Sequence, residues 1–328
     1  MRFRSLSLGL TALAIIYSGL WYTLALDAKK TVATQLRDLR NTGLSVSYSE
    51  SAISGFPYRM IVTLDKLDIR SKRGGVQFAA RGARLISHVW TPGDWMILAD
   101  DMAFSVAGKA LVVTDTSLRG RWTLHDAKWV GSLELNDARF VKAPGLHGAA
   151  TAEILQLHVQ REIGRTAEDA PSEGLYGDKI VSFNLRMANL MPEGGKKISL
   201  KRGEILGSLT GAGLHDWTAD TLGEWRDAGG LLDIEAIAAN WRGSEITGSG
   251  SLTFDHALRP MGSFGIKSTD HGLLLDHFAR EGWGSRSAIK AIKAEIAASR
   301  PEALSLNLQD GSLRLEGYQM MKLPVVAR

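Results

Sequence analysis

The first 26 residues place the strongest constraint on what this chain can fold into. Residues 5–26 carry no charge, Arg2 and Arg4 precede them, and 302 residues follow. An α-helix rises ~1.5 Å per residue, so a helix of this length matches the ~30 Å hydrocarbon core of a bilayer. Trp21 and Tyr22 are residue types that favour the far membrane interface. The sequence therefore predicts a transmembrane anchor over residues 1–26, with a short cytoplasmic tail.

A cleaved signal peptide is the alternative interpretation of this segment. Signal peptides have a shorter apolar region and small residues at the cleavage site, and Thr23 and Ala25 suit that site poorly. We therefore expect an uncleaved anchor. Basic residues flank the segment on both sides, so charge alone does not decide its orientation. A short basic tail before an apolar run is typical of export signals, which favours a body outside the cytoplasm.

The composition argues against several classes of protein and of binding site. Cysteine is absent, so disulfides and thiolate metal sites are excluded. The net charge is +4, and its basic and acidic residues are interspersed, which argues against a nucleic-acid binder. The residues after the anchor outnumber what one compact core usually holds. Two subdomains, with a boundary near residues 165–175, or one elongated sheet would accommodate them.

The spacing of apolar residues changes from helical to alternating soon after the anchor. Apolar residues from Leu24 to Leu39 predict a juxtamembrane helix over residues 27–43. Alternation of apolar and polar residues then predicts a β-rich domain over residues 44–328. Helical spacing returns in three short segments, which contain Trp217, Leu222 and Trp225; Leu273 to Phe278; and Ile289, Ile292 and Ile296.

The alternation changes phase at two places. Apolar residues occupy even positions before Asp65 and Lys66 and odd positions after them. The opposite change follows Leu135. A change of phase is the expected mark of a β-bulge, which bends and twists a sheet. We therefore predict a mainly β (α+β) fold, in which an elongated, curved antiparallel sheet and a few packed helices follow the N-terminal helix.

Turn signals are frequent and rich in glycine. Those of the hairpin type are Arg73-Gly74-Gly75, Arg119-Gly120 and Arg242-Gly243. The clearest hairpin is near the C-terminus, where alternating leucines lie on both sides of Asp310-Gly311. That dipeptide suits a turn with φ > 0. Upstream, residues 248–255 predict a further strand.

No catalytic or metal-binding pattern is found. His271 and His277 are six residues apart and lie on different faces of a helix, and the known zinc, nucleophile and phosphate-loop motifs are absent. The adjacent carboxylates of Asp100-Asp101 and Glu168-Asp169 point to opposite faces of an extended chain, so we interpret them as solvated turns. We therefore expect no catalytic residue, no cofactor and no metal.

Two aromatic features permit a structural and a binding interpretation. In residues 55–59, Gly55 would supply a turn, Pro57 would begin a strand and Phe56 would anchor it, and we favour this structural role over a ligand site. The nine tryptophans include Trp90 and Trp95, which flank Thr91-Pro92-Gly93. Core packing explains most of them, and one or two would line a groove.

Several of these segments resemble one family. Residues 55–59, 250–262, 308–317 and 323–324 resemble, in order and spacing, the bacterial domain-of-unknown-function family 2125, and the resemblance runs from the anchor to the last residues. It implies a relation to AsmA-like proteins, hence an inner-membrane anchor and a periplasmic β-rich body. In the larger relatives a curved sheet forms an apolar groove tied to lipid transport and outer-membrane integrity. Relatives often have Gly-Pro in the last element, whereas Gly317 precedes Tyr318 here.

Sequence and resemblance together lead to one function and one alternative. The first is a membrane-anchored periplasmic protein with an apolar groove that acts in lipid handling or in cell-envelope assembly and integrity, without catalysis. Its partners would be the bacterial inner membrane, through the N-terminal helix, and lipid acyl chains, but no nucleic acid. The alternative is a non-catalytic structural or adaptor protein that binds another envelope protein.

The groove hypothesis makes a specific prediction about burial. If bulges curl the sheet, one strand face lines a concavity and its apolar side chains stay only partly covered. The candidates for this lining are Tyr58, Met60, Val62, Leu133, Leu135, Leu252, Phe254, Leu306 and Leu308. The competing interpretation of each is ordinary core packing, and parity alone does not distinguish the two.

Overall fold

The computed structural model describes residues 2–41, 44–71, 76–106, 111–125, 128–142, 148–162, 179–193, 199–211, 219–280, 282–299 and 301–323. The chain divides into two compact units. One comprises residues 1–126 and 131–151, and the other comprises residues 127–130 and 152–328. The boundary predicted near residues 165–175 lies outside the described residues.

The elements as far as β7 belong mainly to the first unit. They are α1 (Arg2–Asn41), β1 (Leu44–Ser47), β2 (Glu50–Ser54), β3 (Arg59–Ser71), β4 (Val76–His88), β5 (Thr91–Val106), β6 (Leu111–His125) and β7 (Lys128–Lys142). The strand order is β1-β3-β4-β5-β6-β7, and β2 also pairs with β3. The pairs β1–β3, β2–β3, β3–β4, β4–β5 and β5–β6 are antiparallel. These strands therefore form a meander in which chain neighbours are sheet neighbours from β3 onward.

The remaining elements belong mainly to the second unit. They are β8 (Ala150–Glu162), β9 (Lys179–Pro192), β10 (Leu200–Thr210), α2 (Ala219–Asp227), β11 (Leu231–Trp241), β12 (Ser244–Phe254), β13 (Pro260–Ser268), α3 (His271–Arg280), α4 (Arg286–Ser299), β14 (Leu304–Gln309), β15 (Ser312–Leu315) and β16 (Tyr318–Lys322). Their strands again follow chain order. About 60 % of the described residues are in strands, which confirms the predicted mainly β class.

The N-terminal helix is continuous across the predicted border between anchor and juxtamembrane segment. α1 runs without a break from Arg2 to Asn41 and is the one helix, among the described residues, long and apolar enough to span a membrane. In its second half Ala25, Ala28, Val32 and Leu36 are buried. These residues recur at intervals of three and four, so they form one stripe on the helix. The anchor and the juxtamembrane helix are therefore one helix.

The core of the first unit lies on one face of its strands. Leu64, Ala83, Ala99 and Leu118 occupy successive paired positions on β3, β4, β5 and β6, and all four are buried. Directly paired residues share a face of a sheet. The alternation seen in the sequence therefore marks a buried face that continues across four strands.

The predicted changes of phase are present, but their cause is different. Lys66 adopts a left-handed φ of 51°, and the pairs on either side of it, Asp65 with Gly82 and Leu67 with Ala80, keep the same register. No residue is inserted, so the predicted bulge between β3 and β4 is wrong. The left-handed residue itself turns the next side chain to the other face. Asp137 does the same on β7, with a φ of 54°.

Two clusters form the core of the second unit. The larger one unites α3 and α4 with β14, β15 and β16 through residues that include Leu275, Ile292 and Leu304. The smaller one places α2 against β12, where the rings of Trp225 and Phe254 lie 6.0 Å apart. These helices confirm the three helical segments predicted from spacing. Trp217 lies outside the described residues.

The C-terminal hairpin is confirmed. Asp310 and Gly311 have φ angles of 53° and 67°, and Gln309 pairs with Ser312. The next turn has the same form, because Glu316 and Gly317 also have positive φ and Leu315 pairs with Tyr318. Tyr318, where the resemblance leads us to expect proline, therefore follows a regular two-residue turn.

The other predicted glycine turns have different outcomes. Arg242-Gly243 connects β11 to β12, with positive φ at both residues, and is confirmed. The turn at Arg119-Gly120 is wrong, since both residues lie inside β6 and Gly120 pairs with Ile97. Residues 73–75 lie outside the described residues.

The turn at Gly311 provides a test of the hairpin. In a Gly311→Val variant we expect the free energy of unfolding to fall by about 1 kcal/mol or more, because a β-branched side chain opposes a left-handed backbone. A Cβ there would also lie 3.0 Å from Cδ of Arg259. Denaturant unfolding of the full chain in detergent measures the change. Gly311→Asn is the control, since asparagine tolerates this conformation, and equal stability of both variants would contradict the turn assignment.

Candidate membrane-facing junction

The second half of α1 lies along β1, β2 and β3. The Nζ of Lys29 donates a hydrogen bond to the carbonyl oxygen of Ser51 at 3.1 Å. Nearer the end of the helix, the guanidinium of Arg40 donates two bonds, of 2.9 and 3.1 Å, to the carbonyl oxygen of Val46. With the buried stripe, these bonds fix the direction of the helix relative to the strands. The helix and β3 therefore run side by side in the same direction.

The contact between helix and strands begins well before the first charged residue of the helix body, Asp27. The hydroxyl of Tyr17 donates to the carbonyl oxygen of Pro57 at 2.7 Å, and Nε1 of Trp21 donates to that of Arg59 at 3.0 Å. Tyr17 and Trp21 are four residues apart, so they share one face of the helix. The loop before β3 is therefore attached to the segment that the sequence assigns to the membrane.

The loop at residues 55–59 depends on glycine at its first position. Gly55 has a φ of 106°, and a Cβ there would lie 2.6 Å from the carbonyl oxygen of Arg59. The loop closes through a 2.9 Å bond from the Arg59 N–H to the Gly55 carbonyl. The turn predicted at Gly55 is confirmed. Pro57 precedes β3 rather than beginning it, because the strand starts at Arg59.

Phe56 contacts the helix but stays largely exposed. Its ring meets Trp21 edge-on at 5.4 Å and Tyr17 at 6.2 Å, yet the residue is 54 % exposed. Two further exposed rings lie close together at this end of the strands, since Tyr58 in the same loop (62 % exposed) is 6.1 Å from Trp90 in the turn after β4 (64 % exposed). Trp90 also stacks on His88 at 5.7 Å. We call Phe56, Tyr58 and Trp90 the aromatic tip.

A small cleft lies beside the aromatic tip, between α1 and the strands. Leu24, Asp27, Ala28 and Thr31 line it from the helix, and Met60, Pro92 and Trp95 line it from the strands. Its volume is about 90 Å³, well below the roughly 300–1,000 Å³ of sites that enclose a drug-sized ligand. Most of the lining is apolar, so the cleft can hold part of an apolar molecule without offering polar specificity.

The structure separates the predicted groove residues into two groups. Met60, Val62, Leu135 and Phe254 are buried, so the expectation that they stay partly covered is wrong. Their strand face is packed rather than open. Tyr58 is exposed in the aromatic tip, and the rest of the predicted set is partly exposed, namely Leu133, Leu252, Leu306 and Leu308. Of the nine, only Tyr58 and Met60 contribute to the junction.

The carboxylate pair predicted as a solvated turn lies inside a strand. Asp100 and Asp101 belong to β5 and face Arg84 at 3.4 Å and Arg81 at 3.1 Å on β4. The arginines are distant in sequence, so the spacing of the acidic pair does not reveal them. Glu168-Asp169 lies outside the described residues. Within the part of the chain that the structure describes, no group of three or more His, Asp or Glu side chains could hold a metal ion.

Sequence reasoning missed the cleft and the contacts of Tyr17 and Trp21. One signal was available, because two aromatic residues with polar ring atoms lie four apart within an otherwise aliphatic run. Such rings need hydrogen-bond partners when they leave water. Their partners are backbone oxygens about 40 residues away, which no local pattern identifies.

Comparison with known proteins gives one match. The model of a family described as "Uncharacterized protein conserved in bacteria (DUF2125)" matches residues 21–324. Neither the curated proteins nor the solved structures contain a match. The matched range includes the loop before β3 and the end of β4, together with Trp21 on the helix.

The buried face of β3 gives a direct test of core against groove. Val62 is fully enclosed, so Val62→Glu would bury an unpaired carboxylate, at a cost of ~3–5 kcal/mol. We expect the full chain with this change to lose its cooperative melting transition in detergent. Lys66→Glu, which puts the same side chain at an exposed position of the same strand, should retain it. Equal melting of the two variants would mean that Val62 faces solvent or lipid.

Proposed function

The chain belongs to DUF2125, a bacterial family described as uncharacterized, and we propose that it is a membrane-anchored, periplasmic lipid-handling protein of the cell envelope. In this proposal α1 crosses the inner membrane, and the cleft beside the aromatic tip holds part of a lipid acyl chain. The protein acts in lipid handling or envelope integrity without catalysis. This is the activity that its resemblance to AsmA-like proteins suggests.

The position of the cleft carries the proposal. Its helical wall runs from Leu24, near the end of the uncharged segment of α1, to Thr31 just after it. A site at that position is adjacent to lipid wherever the helix leaves a bilayer. An acyl chain could therefore enter it from the membrane without crossing water. The apolar lining from Met60, Pro92 and Trp95 suits such a ligand.

The alternative, an adaptor that binds another envelope protein, is favoured by a different observation. β16 ends the strand order of the second unit and is paired with β15 in the described structure. An end strand can accept a strand from a partner. It is only five residues long, which limits the pairing it offers. The cleft is the more specific feature, and we propose lipid handling first.

A filled cleft tests the lipid proposal. Thr31 is exposed and lines the cleft, so Thr31→Trp should occupy it without disturbing the buried stripe. We would reconstitute the full chain with a phosphatidylethanolamine that carries a photoreactive group on one acyl chain. In the unaltered chain we expect crosslinks to peptides that contain Met60 and Trp95. In Thr31→Trp we expect these crosslinks to fall about tenfold, as for a blocked site.

The control is Thr34→Trp, which makes the same change at an exposed position that does not line the cleft. It should crosslink like the unaltered chain. Equal crosslinking in both variants, or crosslinks confined to residues 5–20 in all three proteins, would contradict lipid binding in the cleft.

A further inference from the structure

The part of α1 that precedes Tyr17 is too short to cross a bilayer. Tyr17 makes the first hydrogen bond described between the helix and the strand ends, and residues 2–16 of the helix precede it. Fifteen helical residues extend over about 22 Å, whereas the hydrocarbon core is about 30 Å thick. A tilt of the helix reduces the distance further. If the helix crosses the membrane, residues as far as about Trp21 must lie within the apolar layer or its border.

The loop before β3 lies beside those helix residues. Tyr17 donates a hydrogen bond to Pro57 and Trp21 donates one to Arg59, so the loop is at the same level along the helix. We propose that the aromatic tip, formed by Phe56, Tyr58 and Trp90, inserts into the interfacial layer of the bilayer leaflet from which α1 emerges. This inference rests on the membrane anchoring in the proposed function and adds a second contact between the protein and the same membrane.

The chemistry of the tip fits this layer. Phenylalanine, tyrosine and tryptophan are the residues that bury an apolar ring at the level of the headgroups, and tyrosine and tryptophan keep a polar atom near water. All three tip residues are more than half exposed. Arg59, which is also exposed, follows directly in the chain, and its long side chain can reach the lipid phosphates while its backbone lies deeper.

Several backbone polar groups of the loop have hydrogen-bond partners within the protein, which suits an apolar medium. Lipid offers no hydrogen bonds, so backbone polar groups near it need partners in the protein. Pro57 has no N–H, and its carbonyl oxygen accepts from Tyr17. The Arg59 carbonyl accepts from Trp21, the Arg59 N–H donates to Gly55, and the Tyr58 carbonyl accepts from Val89 N–H at 3.3 Å. In water, solvent could supply the hydrogen bonds that the Pro57 and Arg59 carbonyl oxygens receive from the helix.

The absence of cysteine makes the inference testable in the full chain. Single cysteines in the variants Phe56→Cys, Tyr58→Cys and Trp90→Cys can each carry an environment-sensitive nitrobenzoxadiazole dye. Arg70→Cys is the control, because Arg70 is exposed and lies on the same strand as Arg59, about 36 Å farther along. The labelled proteins are reconstituted in vesicles of phosphatidylethanolamine and phosphatidylglycerol.

We expect dyes at the tip to emit at shorter wavelength than the dye at position 70. Lipids that carry a spin label near the top of the acyl chain should quench the tip dyes, and aqueous iodide should quench them several-fold less than the control. Phe56 contacts α1, so a folding defect in that variant leaves Tyr58 and Trp90 to decide.

Two failures are distinguishable. If carbonate extracts the full chain from the vesicles, the membrane anchor is wrong, and the proposed function fails with the inference. If the chain resists carbonate but iodide quenches the tip dyes as strongly as the control, the anchor stands and tip insertion is overturned. The second result would instead assign the exposed rings to a protein partner.

Discussion

The attachment of α1 to β3 is the interaction on which the rest of the structure depends. Two helix donors, Tyr17 and Trp21, bind the backbone oxygens of Pro57, in the loop before β3, and of Arg59, the first residue of β3. A buried stripe continues the contact toward Leu36. A helix attached over this length cannot pivot freely at the membrane surface. If α1 spans a bilayer, its position there determines the position of the first unit, and the part of the helix before Tyr17 is short enough to bring the strand ends to the membrane.

The antiparallel meander explains why rings from separate strands gather at that end. β3 begins there, β4 returns to it, and β5 leaves it again, so Arg59 pairs with His88 and His88 with Thr91. The loop before β3 and the turn between β4 and β5 are consequently neighbours. Exposed rings and the apolar cleft arise from the same arrangement. Both would face lipid if the helix spans the membrane, which is why anchoring and lipid handling are proposed together.

Local signals predicted the elements well because they act over a few residues. The dipeptide Asp310-Gly311, the apolar stripe of α4 and the long uncharged segment each specify a structure without help from distant parts of the chain. Other features depend on residues that are far away in the chain, which local patterns do not identify. Gly120 resembles a turn glycine in sequence, but it lies in β6 beside Ile97 and Leu133 of the neighbouring strands. Lys66 turns the chain without an inserted residue, and alternation alone does not distinguish this from a bulge.

The candidate site was predictable only in part. The aromatic residues at positions 55–59 stood out in the sequence. Parity identifies a face and not what covers it, so Val62 and Leu135 were candidates for either a groove or a core, and both are buried. The donors from α1 are about 40 residues away from their acceptors. Their pairing depends on the direction that the whole helix takes along β3.

The most direct test of the account is the depth of α1 itself. Nitroxide labels on single cysteines at successive positions from Leu13 to Thr31 in the full chain report their access to oxygen, which favours lipid, and to a water-soluble nickel complex. The account predicts that lipid exposure continues to about Trp21 and that the water boundary follows the level of the aromatic tip. A water boundary at or before Ile16 would place the strands wholly outside the membrane and contradict it.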